Sequence, residues 1–225
     1  MGIQERKERE KEQRREAILD AAEDVFSRKG LQSSTMDEIA ERAELSKPTL
    51  YLYFGSKEDL YQAVANRGLD ILEQVFRSVT EKGLSALQTL VRLGEAQEAF
   101  FRKHRGVFRL FSLAQSTSYC GQISDEALKA HHAGIIRIKE LAVGILQKGI
   151  AEGIVRPELD PAEVSVILWS SGHMLLQWLD TDMTVWNRAM GVDLTHTLRL
   201  SHRLLLEAIL TDTGRRSLQL LSRTS

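Results

Sequence analysis

Helical periodicity runs through nearly all of this 225-residue sequence and leaves little room for other secondary structure. Apolar residues recur at three- and four-residue spacing from Ile18 onwards. No stretch shows the sustained alternation of apolar and polar residues that marks a half-buried strand. Only three prolines interrupt the chain, so long helices are possible. The sequence therefore predicts an all-α fold, and the chain is long enough to bury a substantial core.

Capping residues predict three short helices near the N-terminus. The first is expected to end at Gly30, which suits the position just after a helix. Thr35 and Glu38 form a capping box that opens the second helix. Ser46 can cap the third, and Pro48 is tolerated in its first turn, where N–H groups lack helical partners. Two such helices with a short turn between them match the geometry that places a recognition helix in the DNA major groove.

The segment before these helices, 3–16, interleaves six basic with five acidic side chains. A solvated arm or a frayed helix start is the expected structure. Residues 1–57 together hold eleven Lys or Arg against twelve Asp or Glu. A DNA footprint must therefore depend on where individual charges lie, because the bulk charge of this region is not basic.

Residues 17–61 closely resemble the DNA-binding domain of the TetR family of repressors. The matches occur in the family's order, and so many in sequence are very unlikely to arise by chance. The rest of the chain resembles the family in length, in its helical pattern and in the phrase GIAEGIVRPELD at 149–160. The matching residues are Thr35, Ile39-Ala40, Ala43, Ser46, Thr49-Leu50-Tyr51, Tyr53-Phe54 and Ser56-Lys57-Glu58-Asp59-Leu60.

Eight residues of this segment are predicted to contact DNA. Thr35 and Ser46 lie at helix N-termini, where hydroxyl and backbone N–H groups can meet phosphate oxygens. Lys47 can donate to guanine O6 and N7, while Pro48 and the Thr49 methyl group can touch a thymine methyl. The predicted contacts are Thr35, Ser46, Lys47, Pro48, Thr49, Tyr51, Tyr53 and Lys57.

Several of these residues admit a structural interpretation as well. Thr35 can be a helix cap and nothing more, and Tyr51 can belong partly to the core. Lys47 and Lys57 are expected to be exposed without a partner in the chain. The family resemblance implies that Tyr53 and Lys57 occupy positions that usually bind phosphate.

The turn before the third helix departs from the family pattern at Glu44, where Gly is usual. The first residue of such a turn usually lies in the left-handed region, in which Gly has no Cβ to clash. Glu44 is therefore expected to have a positive φ and to strain the turn. The alternative is an ordinary right-handed conformation in which the carboxylate caps or pairs locally.

A helix opened by Ser56 is expected to reach about Thr80, and further helices are predicted near 84–104, 107–116, 125–152, 161–181 and 193–211. The chain is thus predicted to comprise a three-helix head with its arm at 1–56 and a helical effector-binding and dimerisation body at 57–212. The remaining residues, 213–225, are expected to form a flexible tail or one loose helical turn.

The last two long helices are apolar over much of their circumference, so they must be covered on more than one side. Packing against the same helices of a second copy is the favoured interpretation, and the family resemblance implies it too. Burial within a single subunit is the alternative. The predicted interface residues are Leu168, Leu175, Trp178, Leu198 and Leu205.

An effector pocket is predicted within the body, with an apolar wall and a few polar groups. The effector is expected to be a partly apolar small molecule. Core packing alone would explain most of the chosen residues. They are Phe101, Phe108, Phe111, Tyr119, His131 and Trp169.

Other classes of site find little support in the sequence. The six His show no helical pairing with a nearby Cys or carboxylate, so neither a metal site nor a cofactor is predicted. No catalytic residues are predicted, because phosphate loops, paired catalytic carboxylates and nucleophile elbows are all missing from the sequence. A single Cys excludes an intrachain disulfide. The charged N-terminus and the lack of a long apolar segment predict a cytoplasmic protein without a membrane span.

The sequence thus predicts a homodimeric regulator that binds a double-stranded, palindromic operator and is released by an effector. An activator, or a DNA binder without an effector, is the alternative within this class. A helical small-molecule-binding protein with a vestigial head is the alternative from another class, and Thr49, Tyr53 and Lys57 argue against it. An enzyme is the least favoured interpretation.

Overall fold

A computed structural model describes residues 2–114, 123–181 and 184–224, and the all-α prediction is confirmed. None of the helices in these ranges combines the length and the apolar character that crossing a bilayer requires. In chain order the helices are α1 (Ile3–Ser33), α2 (Met36–Arg42), α3 (Lys47–Tyr51), α4 (Lys57–Thr80), α5 (Ala86–Lys103), α6 (Arg105–Ala114), α7 (Asp125–Ala151), α8 (Pro161–Asp180), α9 (Thr184–Met190), α10 (Leu194–Ile209) and α11 (Asp212–Thr224).

The chain divides into two compact units. The first consists of Met1–Asp70 with Gly106–Gly134, and the second of Ile71–Arg105 with Ile135–Ser225. The boundary predicted at residues 56 and 57 therefore differs from the division in the structure. The reason is that the first turns of α4 bury Leu60 in the same apolar cluster as the head.

The core of the first unit joins α1, α2 and α3 to the start of α4 and to α6. Phe26 and Tyr61 meet edge to face, with their ring centroids 5.2 Å apart. The Tyr61 hydroxyl group donates to the backbone carbonyl of Leu110, 3.0 Å away, so this buried hydroxyl is satisfied. Beside them, Gly68 lets α4 approach α6, since a Cβ there would lie 2.3 Å from a methyl group of Val107.

The N-terminal segment 3–16 forms the first turns of α1, which is interrupted at Gly30 with φ 73°. Its N-terminal part is exposed, whereas Glu16 begins a face that contacts α4. There the Arg67 guanidinium group binds Asp20 at 2.6 Å and also pairs with Glu23. These ion pairs fix the direction of α1 relative to α4 within the first unit.

The second unit is built around α8 and α10, which run antiparallel. The hydroxyl groups of Ser171 and Ser201 lie 2.8 Å apart between the two helices. Arg156, just before α8, donates its backbone N–H to the carbonyl of Ile209 at the end of α10. The apolar residues buried around these helices are Leu87, Leu90, Leu146, Val155, Val164, Leu206, Ile209, Leu210 and Leu218.

The segment 213–225, expected to be a tail, instead provides most of α11. Leu218 is buried in the core of the second unit, which gives the helix an apolar anchor. Its start is also fixed, because the Thr211 hydroxyl group donates to the Gly153 carbonyl at 2.9 Å and accepts from the Gly214 N–H. Tertiary contacts therefore stabilise a segment that was expected to form a flexible tail or one loose helical turn.

Candidate nucleic-acid interface

The start of α2 is fixed by the predicted capping box. The Glu38 N–H donates to the Thr35 hydroxyl group, and the Thr35 N–H donates to the Glu38 carboxylate, both at 3.2 Å. A hydrogen bond from Lys29, together with the one from Thr35, lowers the pKa of Glu38. Thr35 thus serves as the cap that the sequence predicts, and its side chain remains exposed on the surface.

The turn between α2 and α3 has the strained geometry expected from the sequence. Glu44 has φ 55°, so the prediction of a left-handed residue is confirmed. The Leu45 N–H donates to the Ala40 carbonyl at 2.9 Å, and the Glu44 N–H donates to the Glu41 carbonyl at 3.1 Å. These two bonds form a Schellman motif, in which Gly usually occupies the position of Glu44.

We expect Glu44→Gly to raise the free energy of unfolding by a few tenths to about 1 kcal/mol. The change removes the Cβ clash at positive φ, while the greater freedom of Gly in the unfolded chain offsets part of the gain. Denaturant unfolding of the purified variant measures this. Glu44→Ala is the matched control, because it removes the same charge and keeps the clash. A Gly variant less stable than the Ala variant would contradict the strain argument.

The recognition helix α3 is short, and its N-terminus is capped by Ser46. The Thr49 N–H donates to the Ser46 hydroxyl group at 3.3 Å, and the two hydroxyl oxygens lie 2.7 Å apart. Leu50 is fully buried and anchors the helix to the head. The opposite face of the first turn is open, since Lys47 and Pro48 are exposed.

Lys47 has a partner within the chain, which corrects the expectation that it would be unpaired. Its Nζ lies 2.9 Å from a carboxylate oxygen of Asp37, in the first turn of α2. The hydrogen bond to Asp37 raises the pKa of Lys47. Because Asp37 and Lys47 are on different helices, the pair also links α2 to the start of α3.

Lys57 is also paired, contrary to the expectation. Its Nζ donates to the backbone carbonyl of Ser34 at 3.0 Å, and its side chain is half-buried. The bond ties the start of α4 to the connection between α1 and α2. An ammonium group has three donors, so Lys57 can keep this bond and still donate to a phosphate.

The two tyrosines differ in their surroundings. Tyr51 is exposed, which argues against a core role, whereas Tyr53 is half-buried and packs against the core of the head. Leu52, between them, is almost fully exposed, which the sequence pattern did not indicate. The outward face of the α2–α3 motif therefore combines hydroxyl groups, one paired lysine and exposed apolar and aromatic groups, the chemistry needed to contact phosphates and base edges.

Of the predicted pocket residues whose side chains the structure describes, only Trp169 lines one of the two cavities reported below. In the second unit, Trp169 lines a cavity of about 60 Å³, while Phe101 is buried with the Arg105 guanidinium group over its ring. In the first unit, Phe108 and His131 are buried, and His131 Nδ1 lies 2.9 Å from Asn66 Oδ1. The side chain of Phe111 and the whole of Tyr119 lie outside the described residues.

A larger cavity, of about 590 Å³, lies in the second unit between α5, α8, α10 and α11. It shares four lining residues with the smaller cavity. Sequence patterns did not indicate Lys139, which lines the smaller cavity. The available signal was its register on α7, directly after the buried Ile138 and four residues after Ile135. The shared residues are Gly94, Gln97, Leu168 and His202.

Of the residues predicted at a dimer interface, Leu198 is buried within its own subunit. Leu168 packs against the core of the second unit, and Trp178 is half-buried and stacks on Trp186 at 5.7 Å. Leu175 and Leu205 are half-buried. The apolar residues that α8 and α10 expose are instead Val166, Ile167, Met174 and Leu204.

Comparisons with known proteins match both the head and the body. The family model described as "Bacterial regulatory proteins, tetR family" matches residues 18–64. The chain is 30% identical over 166 residues to the HTH-type transcriptional repressor KstR2 of Mycolicibacterium smegmatis, covering 73% of this chain and 78% of that protein. It is 43% identical over 91 residues to the HTH-type transcriptional activator FasR of the same species, which covers 40% of each chain.

A solved structure extends the likeness to nearly the whole fold. FadR from Bacillus subtilis, in complex with stearoyl-CoA, matches with a TM-score of 0.70 at 20% identity. The match covers 86% of this chain and 98% of that one. At this level of identity the comparison shows a shared fold.

Proposed function

Since the chain belongs to the TetR family and is a DNA-binding transcriptional regulator, we propose that it is a homodimeric repressor which a partly apolar small molecule releases from a palindromic operator. The observation that carries this proposal is the construction of α3. Leu50 is buried and fixes the helix, while Lys47, Pro48 and Tyr51 remain on the surface. A helix held in this way can enter the major groove without losing its anchor.

Within this proposal, the first turn of α3 reads base edges and the surrounding groups bind the backbone. Lys47 donates to a guanine, and Pro48 and the Thr49 methyl group contact thymine. Thr35, Ser46, Tyr53 and Lys57 bind phosphates and set the register of the head on the duplex. The bonds from Ser46 to Thr49 and from Lys57 to Ser34 support this division, because they hold the side chains in place before DNA arrives.

We expect Lys47→Ala and Thr49→Ala each to weaken binding to the cognate site by about five- to a hundredfold and to relax the base preference at one position. Selection from a random-sequence DNA pool, followed by titration of the selected site, measures both effects. Lys82→Ala is the control, since it removes an exposed lysine outside the head. An unchanged selected sequence for both head variants would show that α3 does not read the groove.

The pair between Lys47 and Asp37 makes a further substitution informative. We expect Asp37→Asn to tighten binding to DNA by about two- to tenfold, because it frees the Lys47 ammonium group and removes a negative charge near the phosphates. Titration at two salt concentrations checks this. Asp212→Asn, at the start of α11, serves as the control for loss of one exposed carboxylate. Weaker binding by Asp37→Asn would mean that Asp37 positions Lys47 for the DNA.

A dimer through α8 and α10 is supported by the apolar side chains that these helices expose. Ile167 and Met174 lie two turns apart on one face of α8, and Leu204 is exposed on the antiparallel α10. Exposed apolar side chains on neighbouring helices are typical of a surface that a second copy covers. A two-fold dimer carries two recognition helices, so its operator is expected to have half-sites about one helical turn apart.

Release by an effector is proposed as a shift between two populations of the dimer. A ligand that favours one separation of the recognition helices lowers the fraction that fits the operator. Helix α4 is the element suited to carry the change, because it begins at Lys57 and contributes residues to both units. The bound stearoyl-CoA of the FadR structure supports a partly apolar effector for this fold.

The direction of regulation is tested by transcription in vitro. A promoter that contains the selected operator should produce less transcript as the protein is added. KstR2 is a repressor and aligns over most of this chain, which supports repression. FasR is an activator and aligns over 40% of it, so a rise in transcript is the competing outcome and would replace repression with activation.

A further inference from the structure

The smaller cavity of the second unit has a mostly apolar wall with a few polar side chains. Its polar residues come from α5, α7, α8 and α10, the helices that surround it. Among the described residues that line it, none is Asp or Glu. The apolar lining includes Phe76, Leu90, Leu93, Ile138, Leu146 and Leu168.

Three nitrogen atoms in this wall are buried without a hydrogen-bond partner in the described part of the chain. They are Lys139 Nζ, Gln97 Nε2 and His202 Nε2. Lys139 Nζ lies 5.0 Å from the centroid of the Trp169 ring, a cation–π contact that leaves its hydrogen-bond donors unused. Buried polar groups are normally satisfied, so three unsatisfied nitrogens around one cavity indicate that something else binds there.

Burial lowers the pKa of three basic side chains in this region, Lys139, His173 and His202. It lowers the pKa of Lys139 to about 8, so most of the side chain remains an ammonium ion at neutral pH. Burial, with the charge of Lys139 as a second cause, lowers the pKa of His173 to about 4. Burial also lowers the pKa of His202. The wall of the smaller cavity therefore carries the positive charge of Lys139.

The adjacent larger cavity is lined by five charged residues, Glu95, Glu98, Arg102, Arg199 and Arg203. Arg102 and Arg199 both bind Glu98, at 2.7 and 3.0 Å. Its remaining wall is largely apolar and includes Val91, Leu198, Leu206 and Leu218. At about 590 Å³ it falls within the range of small-molecule pockets, and it shares Gln97 and His202 with the wall of the smaller cavity.

We propose that the second unit binds an amphipathic carboxylate, whose acidic group pairs with Lys139 and Gln97 in the smaller cavity and whose hydrocarbon part occupies the larger one. The inference rests on the proposed function, because it names the chemical class of the effector. A carboxylate supplies two acceptor oxygens and the negative charge that the described lining lacks.

Water is the competing occupant. A cavity of about 60 Å³ has room for about two water molecules, which could accept hydrogen bonds from the same nitrogens. Water does not neutralise the ammonium ion, however, and a buried charge is far more costly than a buried neutral group. A carboxylate site should therefore bind an acid more tightly than a neutral molecule of the same length. A site occupied by water should show no such preference.

Titration of the purified full chain with decanoate and with decan-1-ol distinguishes them, with intrinsic tryptophan fluorescence and calorimetry as readouts. We expect decanoate to bind about tenfold or more tightly than the alcohol, since a hydrogen bond to a charged group is worth about 1.5–3 kcal/mol. Lys139→Met should lose this preference and leave binding of the alcohol unchanged or tighter. Lys129→Met, which replaces an exposed lysine of the same helix, should behave like the unmodified protein.

Equal binding of acid and alcohol, no binding of the acid, or a preference that survives in Lys139→Met would overturn the proposal. The first two outcomes need no variant, so the test holds even if Lys139→Met fails to fold. A measurement of operator binding in the absence of any carboxylic acid tests the proposed function separately. A chain that binds its operator and no carboxylate fails only this inference, and one that binds decanoate and no specific DNA fails only the proposed function.

Discussion

A glutamate at Ile167 or at Leu204 should convert the proposed dimer to monomers and reduce operator affinity by about a hundredfold or more. Both side chains are 54% exposed in the isolated chain, so the substitutions leave the core of the subunit untouched. In the proposed dimer each would place a charge, together with its two-fold copy, in an apolar interface. A monomer binds one half-site and loses the gain from binding two linked sites, which is about 10²–10⁴.

Light scattering measures the mass, and titration of a full operator against a single half-site measures the affinity. Ile136→Glu is the matched control, because Ile136 is an equally exposed apolar residue on α7. The control should remain dimeric, and all three variants should keep their helical content. If both interface variants keep the mass of a dimer, the interface does not lie on α8 and α10.

Leu50→Ala should lower the free energy of unfolding by about 2–5 kcal/mol, the usual cost of truncating a well-packed leucine. Leu50 is 0% exposed and lies in the cluster that also contains Ile18, Ile39 and Phe54. Leu50 is the only fully buried side chain among Lys47–Tyr51, so the cavity left by its truncation would loosen the packing of α3. Operator binding should therefore fall even at temperatures where the variant is folded.

Leu52→Ala is an unusually close control for this substitution. Leu52 is 84% exposed and only two residues away, so the same truncation should change stability by less than about 0.5 kcal/mol. Chemical denaturation of both variants compares the stability lost on truncating a buried leucine with that lost on truncating an exposed leucine two residues away. Similar losses of stability would show that Leu50 is not an anchor of the head.

Local features of the head were predictable from the sequence because they depend on neighbouring residues. The capping box of Thr35 and Glu38 and the cap at Ser46 each involve groups three residues apart. The positive φ of Glu44 follows from the reversal that a short turn between two helices requires. Short-range hydrogen-bond chemistry specifies such features without reference to the rest of the fold.

Contacts between distant residues were not predictable in the same way. Lys47 and Asp37 are ten residues apart, and Lys57 and Ser34 are twenty-three apart, so their pairing depends on how the helices pack. Both lysines were expected to be exposed without a partner, but Lys57 is half-buried, and the exposure of Lys47 does not exclude a partner. The helix α11 was missed for the same reason, because the burial of Leu218 depends on the second unit as a whole.

The choice of pocket residues shows a further limit of sequence patterns. Aromatic residues were selected because apolar walls are typical of ligand sites, yet Phe101 and Phe108 are buried and line neither described cavity. The informative residue was a lysine on a buried helical face. A buried ammonium ion such as that of Lys139 costs free energy unless it is paired, and such a cost is a stronger indication of a ligand than an additional aromatic ring.

The pairing of Lys47 with Asp37 bears on how the protein searches a chromosome. Arbitrary DNA attracts proteins mainly by releasing counterions, and each uncompensated lysine adds to that attraction. A lysine with a carboxylate 2.9 Å away contributes less on such DNA, whereas a guanine edge offers two acceptors that can replace the carboxylate. In the proposed complex, where Lys47 binds a guanine, the pair would weaken binding to the vast excess of unrelated sequence more than binding to the operator. Fewer molecules would then remain bound at wrong positions, and the target would be occupied at a lower cellular concentration.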